Sequence, residues 1–90
     1  MPQPYKTTIV WDEHTLPEAI RGAHSTKEGT WGLLHVLEGS ARLVFHDPAH
    51  TITVTPGRPA PISPQVIHHV ELDGPARLQV EFYREPPLED

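Results

Sequence analysis

Seven histidines in 90 residues are the side chains most able to do chemistry in this chain, because imidazole binds metal ions and exchanges protons near neutral pH. Three of them stand in turns among Asp, Pro and Thr residues, and we expect these to be solvated: His14, His46 and His50. His35 interrupts an apolar run, so a buried or subunit-contact histidine is expected there. Three candidates for a site remain: His24, His68 and His69.

The proline-rich segment 55–71 determines where His68 stands. Each of its prolines holds φ at about −65° and favours extended backbone in the preceding residue, so the segment cannot form a helix. Gly57 and the pair Pro64-Gln65 predict two tight bends, after which apolar and polar residues alternate. His68 is therefore expected at the start of a strand, directly after a stiff loop.

Alternation along that strand separates the two adjacent histidines, so only one of them points inward. If residues 73–76 form the loop of a hairpin, His68 lies directly opposite Glu81. A two-residue loop keeps this facing, whereas a three-residue loop reverses it. Glu81 stands between two apolar residues, where a carboxylate needs a partner. The alternative places Glu81 on the surface as an ion pair with Arg77.

Two imidazoles and one carboxylate form the ligand set of non-haem iron sites, and zinc accepts the same set when water fills the open position. We therefore predict that His24, His68 and Glu81 bind a divalent metal ion, with zinc expected first and iron or nickel as alternatives. Glu28 and His69 are the alternatives for completing the site. Arg21 and Lys27 stand on either side of His24, where they would attract a small anionic ligand as a partner, with simple solvation at the surface as the alternative.

The bulk composition limits the classes of partner and compartment. Twelve acidic and seven basic residues give a formal net charge of −5 without a basic block, so neither nucleic acid nor an anionic membrane is expected as a partner. The lack of cysteine excludes disulfides and thiolate chemistry, and the N-terminus has no leader pattern, so a cytoplasmic protein is expected. A core this small favours a homodimer.

Short apolar runs separated by turn signals predict an all-β fold, an antiparallel barrel or sandwich in a single domain over residues 1–90. One short helical turn is the most that is expected, from a capping box at Thr15-Leu-Pro-Glu18 to about Arg21. Hairpins are expected at 38–40 and 73–75, an extended arm at 1–6 and an acidic tail at 84–90. The expected strands are 7–11, 23–26, 30–37, 41–45, 51–55, 60–62, 67–72 and 76–83.

Five short motifs between about Tyr5 and Tyr83 carry a resemblance to a known family. They are His24-Ser-Thr-Lys27, Gly29-Thr-Trp-Gly32, Val36-Leu-Glu-Gly39, Pro64-Gln65 with His68, and Glu81-Phe-Tyr83. Together they resemble the small cupin family that occurs as the N-terminal domain of tellurite-resistance TehB proteins and as stand-alone YeaR-type proteins. The resemblance implies a cupin-like jelly-roll barrel, a double-stranded β-helix with a metal or ligand site in its mouth.

By this resemblance His24 falls on the first cupin motif and His68 on the second, while the usual glutamate position falls on or near Gly32. A standard four-ligand cupin site is therefore not expected. TehB proteins also carry a methyltransferase domain, which is not expected within these 90 residues. The resemblance therefore does not predict tellurite chemistry for this chain. The resemblance implies a context of oxyanion or nitrosative stress and names no reaction.

Three functions follow from the residues and the resemblance. The first is a small metal-binding cupin that binds or senses a molecule in tellurite or nitrosative stress. The second is a metal-dependent enzyme of the oxygenase or isomerase type, which would use the open coordination positions. The third is an inert interaction module that pairs through the apolar strand TWGLLHVL.

Overall fold

Two antiparallel sheets face each other across one apolar core in the computed structural model, which describes residues 2–88. One sheet has the strand order β1-β8-β3-β6, with β2 also paired to β8, and the other has the order β5-β4-β7. We call them sheet A and sheet B. The elements are β1 (Lys6–Thr7), β2 (Trp11–Asp12), α1 (Glu18–Arg21), β3 (Trp31–Glu38), β4 (Ala41–His46), β5 (Ala49–Val54), β6 (Ala60–Ile62), β7 (His68–Glu71) and β8 (Arg77–Tyr83).

The core forms because alternate residues of the strands point inward from both sheets. In β4, buried Ala41, Leu43 and Phe45 alternate with partly exposed neighbours. In β8, Leu78 and Val80 are buried on the facing side. The predicted all-β class with one small helix is confirmed. The predicted closed barrel is not found in residues 2–88, where the strands form two separate ladders.

Both predicted hairpins at 38–40 and 73–75 are wrong. β3 pairs with β6 and β8 and not with β4, while β7 pairs with β4 and β8 pairs with β3. The turn signals at these positions are real, but the chain uses them to cross from one sheet to the other. Gly39 has a φ of +76°, and a Cβ atom built there would lie 2.4 Å from the carbonyl oxygen of Pro75. The two crossings therefore pack against each other at Gly39.

The single helical turn lies where it was predicted, at Glu18–Arg21, but the predicted capping box is wrong. The helix has Pro17 at its N-cap position and no side-chain cap. The hydroxyl of Thr15 instead donates to Asp12 Oδ1, which also accepts the backbone N–H groups of His14 and Thr15. These N–H groups lower the pKa of the Asp12 carboxyl, the bond from His14 most of all.

Two further expectations concern the ends of the chain and membranes. Met1 of the predicted arm and residues 89 and 90 of the predicted tail lie outside the described residues. Between residues 2 and 88, no helix has the length and apolar character needed to cross a membrane.

Candidate functional site

An isolated bridge between two distant segments brings two histidines together. The backbone N–H of His24 donates to the carbonyl of His68 and the reverse bond forms as well, both at 2.9 Å. Such a doubly bonded antiparallel pair places both side chains on the same face. The ring centroids are consequently 4.2 Å apart with an angle of 58° between the planes. The proline-bounded loop before β7 and the segment after α1 thus position these two imidazoles.

Each of these rings is held by a backbone carbonyl two residues earlier in the chain. His24 Nδ1 lies 2.8 Å from the carbonyl oxygen of Gly22, and His68 Nδ1 lies 2.8 Å from that of Val66. A carbonyl oxygen only accepts, so Nδ1 must carry the hydrogen in both rings. In the neutral rings, Nε2 is therefore left as an acceptor with a free lone pair. The two rings that carry these acceptors are in contact.

His68 is held in its neutral form by its surroundings. Its side chain is almost fully buried, with 2% of its surface exposed. Burial is the main cause that lowers the pKa of His68, and the nearby histidines, His24 first, lower it further. The bond from Nδ1 to Val66 opposes this shift only in part. At neutral pH, His68 Nε2 is therefore an acceptor and not a donor.

Both rings line a cavity of about 320 Å³ between the two sheets. Apolar side chains from both sheets and from α1 form most of its wall: Ile20, Leu34, Ile62, Val70, Val80 and Phe82. Small polar residues complete it: Ser25, Thr26 and Thr30. The hydroxyl of Thr26 donates to the carbonyl of Thr30 at 2.7 Å. Cavities that bind small molecules are typically apolar with a few polar groups placed in this way.

The charges around the cavity differ from those of the whole chain. The sequence has only two lysines, and both Lys6 and Lys27 line the cavity. None of the carboxylates in residues 2–88 lines it, although the formal net charge of the chain is −5. Both lysines are exposed, so they lie where the cavity meets solvent. The fixed charges that line the cavity are therefore basic, in a protein whose net charge is negative.

Glu81 lies apart from this pair. It does not line the cavity, and its Oε1 atom lies 2.5 Å from His35 Nε2 and accepts a bond of 3.0 Å from the Tyr83 hydroxyl. The predicted pairing of His68 with Glu81 is wrong, because β7 and β8 belong to different sheets and Glu81 pairs with Leu33 of β3. Glu81 does have a partner, as its position in the strand required, but that partner is His35.

The two alternatives for a third ligand also lie elsewhere. Glu28 is exposed and does not line the cavity. His69 bonds on one side to His46 Nε2 and on the other to Glu71 Oε2, both at 2.7 Å. Arg42 donates to the same Glu71 carboxylate, and these contacts lower the pKa of Glu71, the bond from His69 most of all. The sequence predicts a solvated His46 and gives no sign of this network. The network depends on the register of β4 with β7, in which Val44 pairs with His69.

The predicted three-ligand metal centre does not form. Across the part of the chain that the structure describes, no three His, Cys, Asp or Glu side chains come together as metal ligands. His24 and His68 offer two ring nitrogens, but no third donor of a usual metal-binding type joins them.

The comparison with known families decides the relationship. A family model described as the TehB-like domain matches residues 6–80. The chain belongs to the TehB-like family. The predicted resemblance to the N-terminal domain of TehB proteins is thereby confirmed.

Named relatives of the TehB-like domain come from Haemophilus influenzae. A probable S-adenosyl-L-methionine-dependent methyltransferase TehB of strain Rd is 38% identical over 74 residues, which cover 74% of this chain and 25% of the relative. The corresponding protein of strain 10810 is 36% identical over the same coverage. The chain thus spans about a quarter of the length of the curated relatives that it matches.

Two crystal structures share the fold of the TehB-like domain. That of TehB from Haemophilus influenzae superposes with a TM-score of 0.81 at 30% identity, over 90% of this chain and 30% of that chain. A protein from E. coli strain K12 also gives a TM-score of 0.81, at 21% identity, over 91% of this chain and 89% of that chain. The second likeness shows the fold alone.

These findings overturn two predictions made from the sequence. The function predicted first, a metal-binding cupin, is wrong, because the relatives are named as S-adenosylmethionine-dependent methyltransferases and residues 2–88 gather no metal-ligand group. The predicted divalent metal cofactor, zinc, iron or nickel, is wrong for the same reasons. The physical cause of the error is the crossing between sheets at 73–76, which carries Glu81 away from the two histidines.

Proposed function

We propose that this TehB-like domain binds a small organic molecule in the cavity between its sheets and serves a methyltransferase as an accessory binding module. The observation that carries the proposal is the cavity itself, an apolar space of about 320 Å³ with two fixed imidazoles on one wall. The methyltransferase context is taken from the names of the relatives, of which this chain matches about a quarter.

The cavity does not suit S-adenosylmethionine, the cosubstrate that the names of the relatives imply. That molecule carries a sulfonium and an ammonium cation, and cations in a protein site need carboxylates or aromatic faces close by. The described wall offers no carboxylate and carries both lysines of the chain. Of its aromatic rings, Tyr5 already lies beneath the Arg84 guanidinium at 4.2 Å, and Phe82 offers a ring face with no carboxylate of the wall beside it. A ligand with net positive charge would be repelled there. The cavity therefore suits a neutral or anionic molecule that is distinct from S-adenosylmethionine.

The accessory role is supported because the cavity suits molecules that could accept a methyl group, while the relatives are named as methyltransferases. Common methyl acceptors expose a hydroxyl, amine or thiol, and these groups can donate a hydrogen bond to a neutral imidazole. A binding module that selects such molecules would raise their local concentration beside the enzyme that uses them. We extend the proposal to the fold: two facing antiparallel sheets with a site between them are the arrangement expected of a cupin-like jelly roll, in a version that is not closed into a barrel.

The test is amide NMR of the ¹⁵N-labelled protein with a library of ring-sized fragments, with S-adenosylmethionine titrated separately. We expect several fragments to shift the amides of Gly32 and His68, and S-adenosylmethionine to shift neither. Gly32→Val should abolish these shifts, because a Cβ atom at Gly32 already lies 3.4 Å from Ile62 Cβ and larger groups enter the cavity. The matched control is Gly74→Val, where no atom lies within 4 Å of the added Cβ.

Each alternative outcome has a definite meaning for this proposal. Fragments that bind Gly32→Val as well as the native protein would show that the cavity is not the site. Binding of S-adenosylmethionine in the cavity would replace the accessory role with a cosubstrate site. If Gly32→Val does not fold, the smaller change Gly32→Ala, which brings the new atom only to ordinary contact distance, takes its place.

A further inference from the structure

We infer that the cavity selects a hydroxylated ring that carries a carboxylate, of the hydroxybenzoate type. This inference rests on the proposed function, since it names the class of molecule that the cavity would bind. The hydroxyl groups donate to Nε2 of His24 and His68, the ring lies against the apolar wall, and the carboxylate meets Lys6 and Lys27. Three features of the cavity lead to these three parts of the molecule.

The two imidazoles require hydrogen-bond donors from the ligand. Both Nδ1–H groups are already used by the carbonyls of Gly22 and Val66, so only the Nε2 lone pairs remain for a guest. A carboxylate placed against two lone pairs would be repelled, whereas a hydroxyl would satisfy one of them. Because the two rings are in contact, with centroids 4.2 Å apart, two hydroxyl groups on neighbouring atoms of one ligand ring are the arrangement that we infer to satisfy both acceptors. One hydroxyl would satisfy only one of the two rings.

The lysines favour an anionic group on the part of the ligand that lies nearest solvent. Lys6 and Lys27 both line the cavity and both reach solvent, whereas His68 lies almost fully buried at its wall. A ligand whose hydroxyls reach His68 therefore places its other end towards the exposed lysines. A carboxylate there gains attraction from two ammonium groups and meets no carboxylate of the described wall. This arrangement gives the small anionic ligand predicted from the sequence a defined orientation.

The apolar wall and the volume favour a ring between the two polar ends. An apolar cavity of about 150 Å³ is enough to hold benzene. The cavity here is about twice that size, at about 320 Å³, which leaves room for ring substituents. Phe82, Val80 and Ile62 provide flat or branched apolar surface for such a ring. An unbranched dicarboxylate would leave this surface uncovered.

The experiment compares four probes by isothermal titration at pH 8 with EDTA present, so that no trace metal bridges the ligand and the protein. They are 3,4-dihydroxybenzoate, 4-hydroxybenzoate, benzoate and catechol. We expect 3,4-dihydroxybenzoate to bind tightest, with each lost hydroxyl weakening binding by about fivefold to tenfold, the usual worth of one hydrogen bond. Catechol, which lacks the carboxylate, should also bind more weakly than 3,4-dihydroxybenzoate.

Variants separate the acceptor role of His24 from its shape. His24→Phe keeps a ring but removes Nε2, so it should reduce the advantage of 3,4-dihydroxybenzoate over 4-hydroxybenzoate to near one. His24→Gln restores an acceptor and should recover part of that advantage. His14→Phe is the matched control, because His14 is 82% exposed and does not line the cavity. Lys27→Gln should reduce the advantage of 3,4-dihydroxybenzoate over catechol and leave the hydroxyl preference in place.

The outcomes distinguish this inference from the proposed function on which it rests. Equal binding of benzoate and the hydroxylated acids, or a hydroxyl preference unchanged in His24→Phe, would overturn the inference and leave a cavity that binds small molecules. Binding that requires added zinc would also overturn it, because the imidazoles would then act through a metal. Failure of all four probes overturns the inference, and only a failed fragment library overturns the proposed function as well. If His24→Phe does not fold, His24→Leu, which also lacks an acceptor, takes its place with the same expected result.

Discussion

At the scale of single residues, the site depends on how two histidines are held by the backbone. Both rings give their Nδ1–H to a carbonyl two residues earlier, so the free atom in each is Nε2. This detail needs the local backbone path and cannot be read from residue types. What the sequence did provide was the choice of His24 and His68 from seven histidines, which the structure places in contact.

His68 makes stability depend on pH in a defined direction. Its pKa in the fold lies below the ordinary value of 6.5, so between the two values the unfolded chain binds a proton that the fold does not. The free energy of unfolding therefore falls as pH falls through about 6.5 and towards the lower folded value. Urea unfolding at a series of pH values should show that the free energy of unfolding falls less with pH in His68→Phe than in the native protein. The lowered pKa of Glu71 acts only below its ordinary value of 4.5, so the comparison is made above that pH.

The pH prediction has its control in a solvated histidine. His14→Phe should leave the slope of stability against pH near that of the native protein, because His14 is 82% exposed and does not line the cavity. A native protein whose stability is flat between pH 7 and the onset of carboxyl titration would contradict the neutral, buried state of His68.

Glu81 gives a second prediction at this scale. Glu81→Gln should leave ligand binding in the cavity unchanged, because this side chain bonds His35 and Tyr83 and does not line the cavity. It should lower the free energy of unfolding by about 0.5–1 kcal/mol, the range for a partly exposed charged hydrogen bond. Titration of a bound fragment and urea unfolding measure the two effects. A large loss of ligand binding in Glu81→Gln would show that Glu81 contributes to the binding site.

At the scale of elements, alternation predicted which residues face inward, but turn signals did not predict which strands pair. Gly39 and the Asp73-Gly74-Pro75 sequence are ordinary reversal signals, and a hairpin and a crossing between sheets both need a reversal. Only the packing of one crossing on the other distinguishes them, since Gly39 lies against the Pro75 carbonyl. That contact joins residues far apart in sequence. Because the chain crosses between sheets at residues 73–76, Glu81 lies away from His24 and His68 and cannot act as the predicted third metal ligand.

Gly39 offers a matched test of that contact. Gly39→Ala should cost clearly more stability than Gly57→Ala, although both glycines have positive φ, +76° and +82°. The left-handed backbone alone costs about 1–2 kcal/mol for a residue with a side chain. At Gly57 nothing lies within 4 Å of the added atom, whereas at Gly39 it would lie 2.4 Å from a backbone oxygen. Equal losses in urea unfolding would show that the two crossings do not pack together.

At the scale of the whole molecule, two sheets enclose a cavity whose charged lining residues are both lysines, inside an acidic chain. The net charge of −5 says nothing about this, because both lysines converge on one place while the carboxylates lie elsewhere in the described residues. Composition therefore argues against nucleic acid and anionic membranes as partners, but it does not reveal which small molecule the cavity would bind. The family resemblance supplied the relationship, and its implied metal chemistry did not hold for this chain.

The homodimer and the cytoplasmic location remain predictions at this scale. A core this small favours association, so we expect light scattering at micromolar concentration to give about twice the chain mass. A single-chain mass across that range would contradict the dimer. The ligand should stabilise whichever form binds it, in proportion to the logarithm of its concentration over the dissociation constant.

The most direct measurement of the central claim is an isotope-filtered nuclear Overhauser experiment on the protein with a bound fragment from the library. The account predicts contacts from the fragment to the methyl groups of Ile62, Val70 and Val80, together with shifts of the His24 and His68 ring nitrogens. Contacts confined to the exposed methyl groups of Ile9, Ile52 or Ile67, with unchanged ring nitrogens, would place the ligand outside the cavity and contradict it.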